Sequence, residues 1–143
     1  RKKKQEVKMQ IVTIFIQNSQ KKLLIQKRSK LKGGKYGITS GHTLLNETAT
    51  KGATREIREE IGLKINEREL KPIYKTKLNK TIYNFYYIKK EIELQNLVLQ
   101  NEEVEDIYWY TIEEINNLIQ KNEFYDKQIE AFKIFEKYIN KEI

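Results

Sequence analysis

A chain of 143 residues with 38% hydrophobic and 34% charged side chains suits one compact core, and it has no apolar run approaching the roughly 20 residues of a membrane helix, so no membrane partner is expected. Cysteine is absent, which excludes disulfides, thiolate metal sites and a cysteine nucleophile, and is compatible with a reducing cytoplasm, the expected location. The net charge of +8 favours polyanionic partners such as nucleotides, although a lysine-rich composition also arises from host genome bias.

The chain opens on a basic run, residues 1–4, which leads into a strand pattern without a cleavable apolar region, so no secretory signal is expected. Segment 7–17 is apolar on both faces and predicts a central, doubly covered strand. Asn18-Ser19-Gln20 reads as a turn, and 22–28 as the returning strand of a hairpin. A basic loop at 30–35 contains Gly33-Gly34, and 36–39 suits a short strand. A helix follows over 48–61, with Ala49, Ala53, Ile57 and Ile61 recurring on one face and Gly62 as its stop signal. Segments 70–78 and 81–92 predict a hairpin turning at Asn79-Lys80, and 105–110 predicts another strand. Thr111 and Glu114 form a capping box for a helix to about Gln120, and 123–140 predicts the last helix. There is no internal repeat and no linker. The expectation is one α/β domain over 1–143, a mixed sheet covered by helices on both faces.

The informative stretch is 41–63, GHTLLNETATKGATREIREEIGL. Glu56, Glu59 and Glu60 are spaced i, i+3 and i+4, so they share one helix face, where they repel one another. Ala53 and Ile57 lie on the opposite, apolar side. Carboxylates gathered beside a packed face suit a hard cation such as magnesium, which takes oxygen ligands and bridges to phosphates. Two adjacent glutamates alone are ordinary surface decoration on a helix. The full spacing is more specific: Gly41, Glu47, Arg55-Glu56, an aliphatic Ile57, Glu59-Glu60, Gly62 and an aliphatic Leu63. At residue frequencies of about 6–7%, those fixed positions coincide by chance roughly once in 10⁸ starting points.

This pattern resembles the signature of the Nudix hydrolases. The likeness extends loosely to Gln26-Lys27-Arg28-Ser29 upstream and to Glu102-Glu103-Val104, Trp109 and 111–115 downstream, but only the box is specific. The resemblance implies an α/β/α sandwich and cleavage of a pyrophosphate bond, either in a nucleoside diphosphate linked to another moiety or in a nucleoside triphosphate. It implies Mg2+ as cofactor, with Mn2+ as a substitute. Glu56, Glu59 and Glu60 match the metal-ligand glutamates, and the Gly41 carbonyl is a further ligand candidate. Arg55 belongs to the same catalytic set and pairs with Glu47, while Glu47 and Gly62 are structural. A carboxylate serves as general base, with Glu56 and Glu102 or Glu103 as candidates. Arg28, His42 and Glu103 are substrate-binding candidates. The lysines beside Arg28, Lys27 and Lys35, are by default solvated surface, and the tyrosines of the late strands are more often core than base-stacking platforms.

The pattern departs from common family usage at Asn46, which replaces a glycine and is expected to tolerate a left-handed turn, at Gly52, which replaces an alanine inside the helix, and at Tyr36, where tryptophan is frequent. The sole proline outside the box, Pro72, lies too close to it to mark ADP-ribose cleavage. A related isomerase chemistry requires a cysteine and is set aside. The alternatives are a non-catalytic nucleotide-binding or regulatory module and an RNA 5′-pyrophosphohydrolase. Nucleic acid is a less favoured partner than a small nucleotide, and a homodimer is compatible with the resemblance.

Overall fold

The computed structural model describes Val7 and residues 9–141. The basic run at 1–4, read above as carrying no secretory signal, lies outside the described residues. The elements are β1 (Met9–Gln17), β2 (Leu23–Arg28), β3 (Tyr36–Gly37), β4 (Thr39–His42), α1 (Ala49–Ile61), β5 (Lys71–Leu78), β6 (Thr81–Lys89), β7 (Val104–Tyr110), α2 (Ile112–Gln120) and α3 (Ile129–Lys141), with short 3₁₀ turns between them. The strands make one mixed sheet. No helix among the described residues is long and apolar enough to cross a membrane.

β1 is the axis of the sheet. It pairs in parallel with β6 along its whole length. On its other side it pairs antiparallel with β4 over Ile11 to Ile14 and touches β2 only at Gln17 opposite Leu23. β2 then leaves β1 to pair with β7 and β3. The sheet is therefore split between β2 and β4, and that split opens beside the first residues of the box.

Strand alternation sends side chains to two cores. Val12, Ile14 and Ile16 of β1 pack with Leu24, Tyr86 and Ile88 against Ala53, Ile57 and Ile61 of α1. Phe15 faces the other way, with Leu23, Ile25 and Phe85, against Ile115 of α2 and Phe132 and Phe135 of α3. Helices thus cover both faces of a mixed sheet, the α/β/α sandwich that the residue pattern implies.

The turns follow local chemistry. The Asn18 side chain accepts from the backbone N–H of Gln20 and of Lys22, each at 3.0 Å, and closes the first hairpin. Asn79 takes the left-handed conformation, φ 57°, at the turn between β5 and β6. Thr48 caps α1 by accepting from Lys51 N, and Thr111 with Glu114 forms the capping box of α2. Three expectations need correction. The last helix begins at Ile129, because Phe124 is fully buried and its segment bridges to Tyr36 instead. β6 ends at Lys89, short of 92. Asn46 is not among the residues with positive φ, so the turn before Glu47 makes no left-handed demand on it.

Gly52 has a packing reason for lacking a side chain. A Cβ there would overlap Thr43 Cγ2 and come within 3.1 Å of Glu47 Oε1. Gly52→Ala is therefore expected to lower the thermal midpoint, although alanine is favoured over glycine in a helix by about 1 kcal/mol. Thr43→Ser removes that methyl and keeps the hydroxyl that accepts from Gln10 Nε2. The double variant should recover part of the loss, and equal midpoints for single and double variants would show that the contact does not matter.

Candidate functional site

The sheet split leads into a cavity of about 410 Å³. Gln26 and Arg28 reach it from β2, Ser40, Gly41 and His42 from β4, and Glu56, Glu59 and Glu60 from α1. Gln100 and Glu103 enter from the loop before β7, and Tyr125 and Gln128 from the connection before α3.

The carboxylate wall comes from α1, since its other face is spent on the core. Ile57 and Ile61, on either side of the carboxylate positions, are fully buried, which fixes the rotation of the helix. Glu60 lies at the boundary and is only 9% exposed. Its Oε1 accepts from Gln26 Nε2 at 2.9 Å. Burial pushes the Glu60 carboxyl up to about 9, and its hydrogen bond with the Glu56 carboxyl acts in the same direction. Glu56 in turn packs against Gly41, where a Cβ would overlap the Glu56 carboxyl group.

Arg55 holds the surrounding loop. Its Nε and Nη2 donate to Glu47, the shortest bond being 2.7 Å, and Nη2 also donates to the His42 carbonyl at 3.0 Å. Its Nη1 donates to Glu56 and Glu59 at 3.0 Å each. Glu47 also accepts from Leu44 N at 2.7 Å. The Arg55 hydrogen bonds hold Glu47 below its ordinary carboxylate range, and Glu47 in return raises Arg55 further above the usual guanidinium value.

Among the described residues no three carboxylate or imidazole side chains are gathered closely enough to enclose an ion. Arg55 stands between Glu56 and Glu59, and Glu60 leans on Glu56. The donor set is nevertheless all oxygen, it is crowded, and it lies against a glycine that leaves it room. That chemistry fits a hard divalent cation with retained waters.

Other parts of the lining are cationic and aromatic. The Arg28 guanidinium carbon sits 3.6 Å from the centre of the Tyr125 ring. Lys32 pairs with Glu103 at 3.4 Å, an exposed pair worth little by itself. Gln128 is buried and forms the floor: its Oε1 accepts from Ile38 N at 2.7 Å, and its Nε2 donates to Ile38 O and Ser40 Oγ. His42 lines the cavity from an exposed position. Glu102 is not part of the lining; its carbonyl accepts from Ser29 Oγ at 2.7 Å. Among the residues read from sequence, Glu56, Glu59, Glu60, Gly41, Arg28, His42 and Glu103 converge on this cavity. Arg55 and Glu47 stand behind it, and Gly62 ends α1 with φ 71°. Gln26, Lys32, Gln100, Tyr125 and Gln128 were not singled out for this site. No local pattern marks them, because they meet the box only through the tertiary fold.

A NUDIX domain family model matches residues 7–132. The chain belongs to the Nudix family. It is 35% identical to a Nudix hydrolase of Listeria innocua over 80% of this chain and 70% of that protein. It is 31% identical to a nucleoside triphosphatase, NudI, of an Enterobacter species over 76% of this chain and 85% of that one. A crystal structure of a Deinococcus radiodurans protein shares the fold, with a TM-score of 0.74 at 21% identity over 90% of this chain and 83% of that one. Nudix hydrolases act on pyrophosphate bonds, and this chain is an enzyme of that class, a hydrolase of phosphorus-containing acid anhydrides. Divalent cations are the family's general cofactors.

Two outcomes follow from this geometry. Gly41→Ala should change the thermal midpoint little, since β4 accepts alanine and it is the Glu56 side chain from Cγ outward, not backbone, that must move. Displacing that carboxylate should lower hydrolysis by roughly 10²-fold, measured as initial rate; a rate near wild type would show that Glu56 tolerates the shift. For Glu60, the folded carboxyl stays protonated up to about 9 while an unfolded one ionises near 4.5. Its contribution is therefore intact below that lower value and is lost as pH rises through the window. In chelator, Glu60→Gln should melt higher than wild type at alkaline pH and converge with it in acid, as followed by circular dichroism.

Proposed function

We propose that this chain is a divalent-cation-dependent hydrolase that cleaves a nucleoside triphosphate, or a nucleoside diphosphate linked to another moiety, at a pyrophosphate bond. The observation that carries the reading is one cavity that the α1 carboxylates Glu56, Glu59 and Glu60 line together with Arg28, Lys32 and Glu103 from other segments. A diphosphate suits such a lining: Arg28 and Lys32 can donate to its oxygens, and a divalent cation held by the carboxylates would neutralise its charge. The triphosphate arm draws support from the relative named as a nucleoside triphosphatase.

Glu56, Glu59 and Glu60, with the Gly41 carbonyl, are the groups that would hold Mg2+ or Mn2+. Such a cation supplies charge neutralisation at the diphosphate and acidifies a bound water. The rest of the work falls to the chain. Arg55 keeps Glu56 and Glu59 in place by sharing one nitrogen between them. Gln26 fixes the Glu60 carboxyl. Glu103 or Glu56 takes the proton of the attacking water as its oxygen bonds to phosphorus and the bridging P–O bond breaks, so that the leaving phosphate carries away the electron pair. Of the two late glutamates, Glu103 is the one that lines the cavity.

Release of phosphate, pyrophosphate and nucleotide would be measured on nucleoside triphosphates, sugar nucleotides, ADP-ribose, dinucleoside polyphosphates and 5′-triphosphorylated RNA, with magnesium and manganese tested separately. Cation-dependent turnover of one small-nucleotide class, lost in Glu59→Gln and Glu60→Gln, is the expected result. Turnover confined to RNA would replace the substrate class. Nucleotide binding without turnover of any substrate would favour the regulatory-module alternative.

A further inference from the structure

Arg28 is the last residue of β2, and Tyr125 lies far along the chain in the connection before α3. The fold stacks the guanidinium on the ring at 3.6 Å, at the cavity. Both partners are held by their backbones. Arg28 N donates to Lys35 O at 2.9 Å. Tyr125 N donates to Tyr36 O at 2.7 Å, and the Tyr125 carbonyl accepts from Gln128 N at 3.0 Å. The neighbouring Phe124 is fully buried in the second core, so the ring stands on an anchored segment.

The stack decides which part of Arg28 is available. A guanidinium presents a flat face and an edge of N–H donors. Tyr125 takes the face, which leaves the in-plane donors for another acceptor. Four carboxylates line the same cavity, yet among the described residues Arg28 forms no ion pair with any of them, whereas Lys27, Lys32, Lys35 and Arg55 each have a carboxylate partner. A pre-oriented donor fork without a carboxylate partner, in a cavity that carboxylates also line, matches a phosphate group entering that cavity.

We infer that Arg28 anchors a phosphate group of the substrate, and that Tyr125 is a positioning residue that orients its guanidinium. The inference rests on the proposed nucleotide-diphosphate chemistry of this cavity. It assigns Tyr125 a role through Arg28, not through contact with the reacting atoms. The ring face turned to Arg28 is already covered, so a nucleobase stacked on that face would have to displace the guanidinium.

The test uses inorganic pyrophosphate with magnesium, read by calorimetry, together with KM and kcat on whichever nucleotide is turned over. Arg28→Met should weaken pyrophosphate binding and raise KM by roughly tenfold to a hundredfold, with kcat and the magnesium activation midpoint little changed. Arg28→Lys should also lose affinity, since lysine keeps the charge without the fork. Tyr125→Phe keeps the ring and should bind as wild type does, whereas Tyr125→Leu should shift KM in the same direction as Arg28→Met. Tyr125→Leu should add nothing further in an Arg28→Met background. Thermal midpoints of all variants separate these effects from misfolding. Unchanged pyrophosphate binding in Arg28→Met, equal effects of Tyr125→Phe and Tyr125→Leu, or additive losses in the double variant would each overturn the inference. Magnesium-dependent turnover lost in Glu59→Gln but insensitive to Arg28→Met would overturn it while leaving the hydrolase reading standing. Absence of pyrophosphate binding in the wild type would overturn it as well.

Discussion

One guanidinium organises this site. Arg55 donates to Glu47, Glu56, Glu59 and the His42 carbonyl, and so ties the loop after β4 to the middle of α1. Without it, the loop would lose its charged anchor and the carboxylates of α1 would repel one another uncompensated. Being only partly exposed, it works in an environment where charge-assisted bonds exceed neutral ones in strength. The path from β4 into α1 is therefore an electrostatic construction, laid over a helix whose rotation is set by apolar packing.

Those two constraints oppose each other at Glu60. Ile57 and Ile61 draw their face of α1 fully into the core, and Glu60, next to Ile61, goes most of the way with them. Burying a carboxylate disfavours its charge, and the Glu56 carboxyl beside it increases the cost. A protein selected for stability alone would place an apolar residue there. On the proposed chemistry the arrangement makes sense, since a cation brought to the cluster would favour the ionised carboxylate that burial disfavours.

How much of this could be read from the sequence follows from sequence separation. The carboxylate wall was legible because its members are within one helical turn of one another, and the Arg55–Glu47 pair belongs to the same short motif. The two cores were legible from strand alternation in β1 and from the repeat of Ala53, Ile57 and Ile61. Tyr125 and Gln128 were not. Both fall inside a stretch whose apolar spacing suits a helix from 123 onward, and the helix begins only at Ile129 because Phe124 fills the second core and its segment bridges to Tyr36. Gln128 meets Ile38 across ninety positions of chain, and no local pattern encodes that. Gly52 shows the converse case. Helix propensity marks it as a cost, and only the Thr43 methyl pressed against it explains why no side chain fits.

The division between residues of the local motif and residues from distant segments matches the layout of the cavity. The local motif builds the carboxylate wall, which on the proposed chemistry serves the reacting phosphorus. The distant segments, Arg28 at the end of β2, Glu103 before β7 and Tyr125 before α3, build other parts of the lining. They converge because the sheet splits between β2 and β4, which leaves β2 free to carry Arg28 toward the α3 side and β4 free to carry Gly41 toward α1. A one-residue slip of β2 against β7 would turn Arg28 to the opposite face of the sheet. The β2–β7 register shifts between Lys27 and Arg28, at the point where the strand delivers that side chain to the cavity. The extra residue of that bulge, Glu105, belongs to β7, so β2 keeps its two-residue alternation and Arg28 stays on the same face as Gln26, the other β2 residue that lines the cavity.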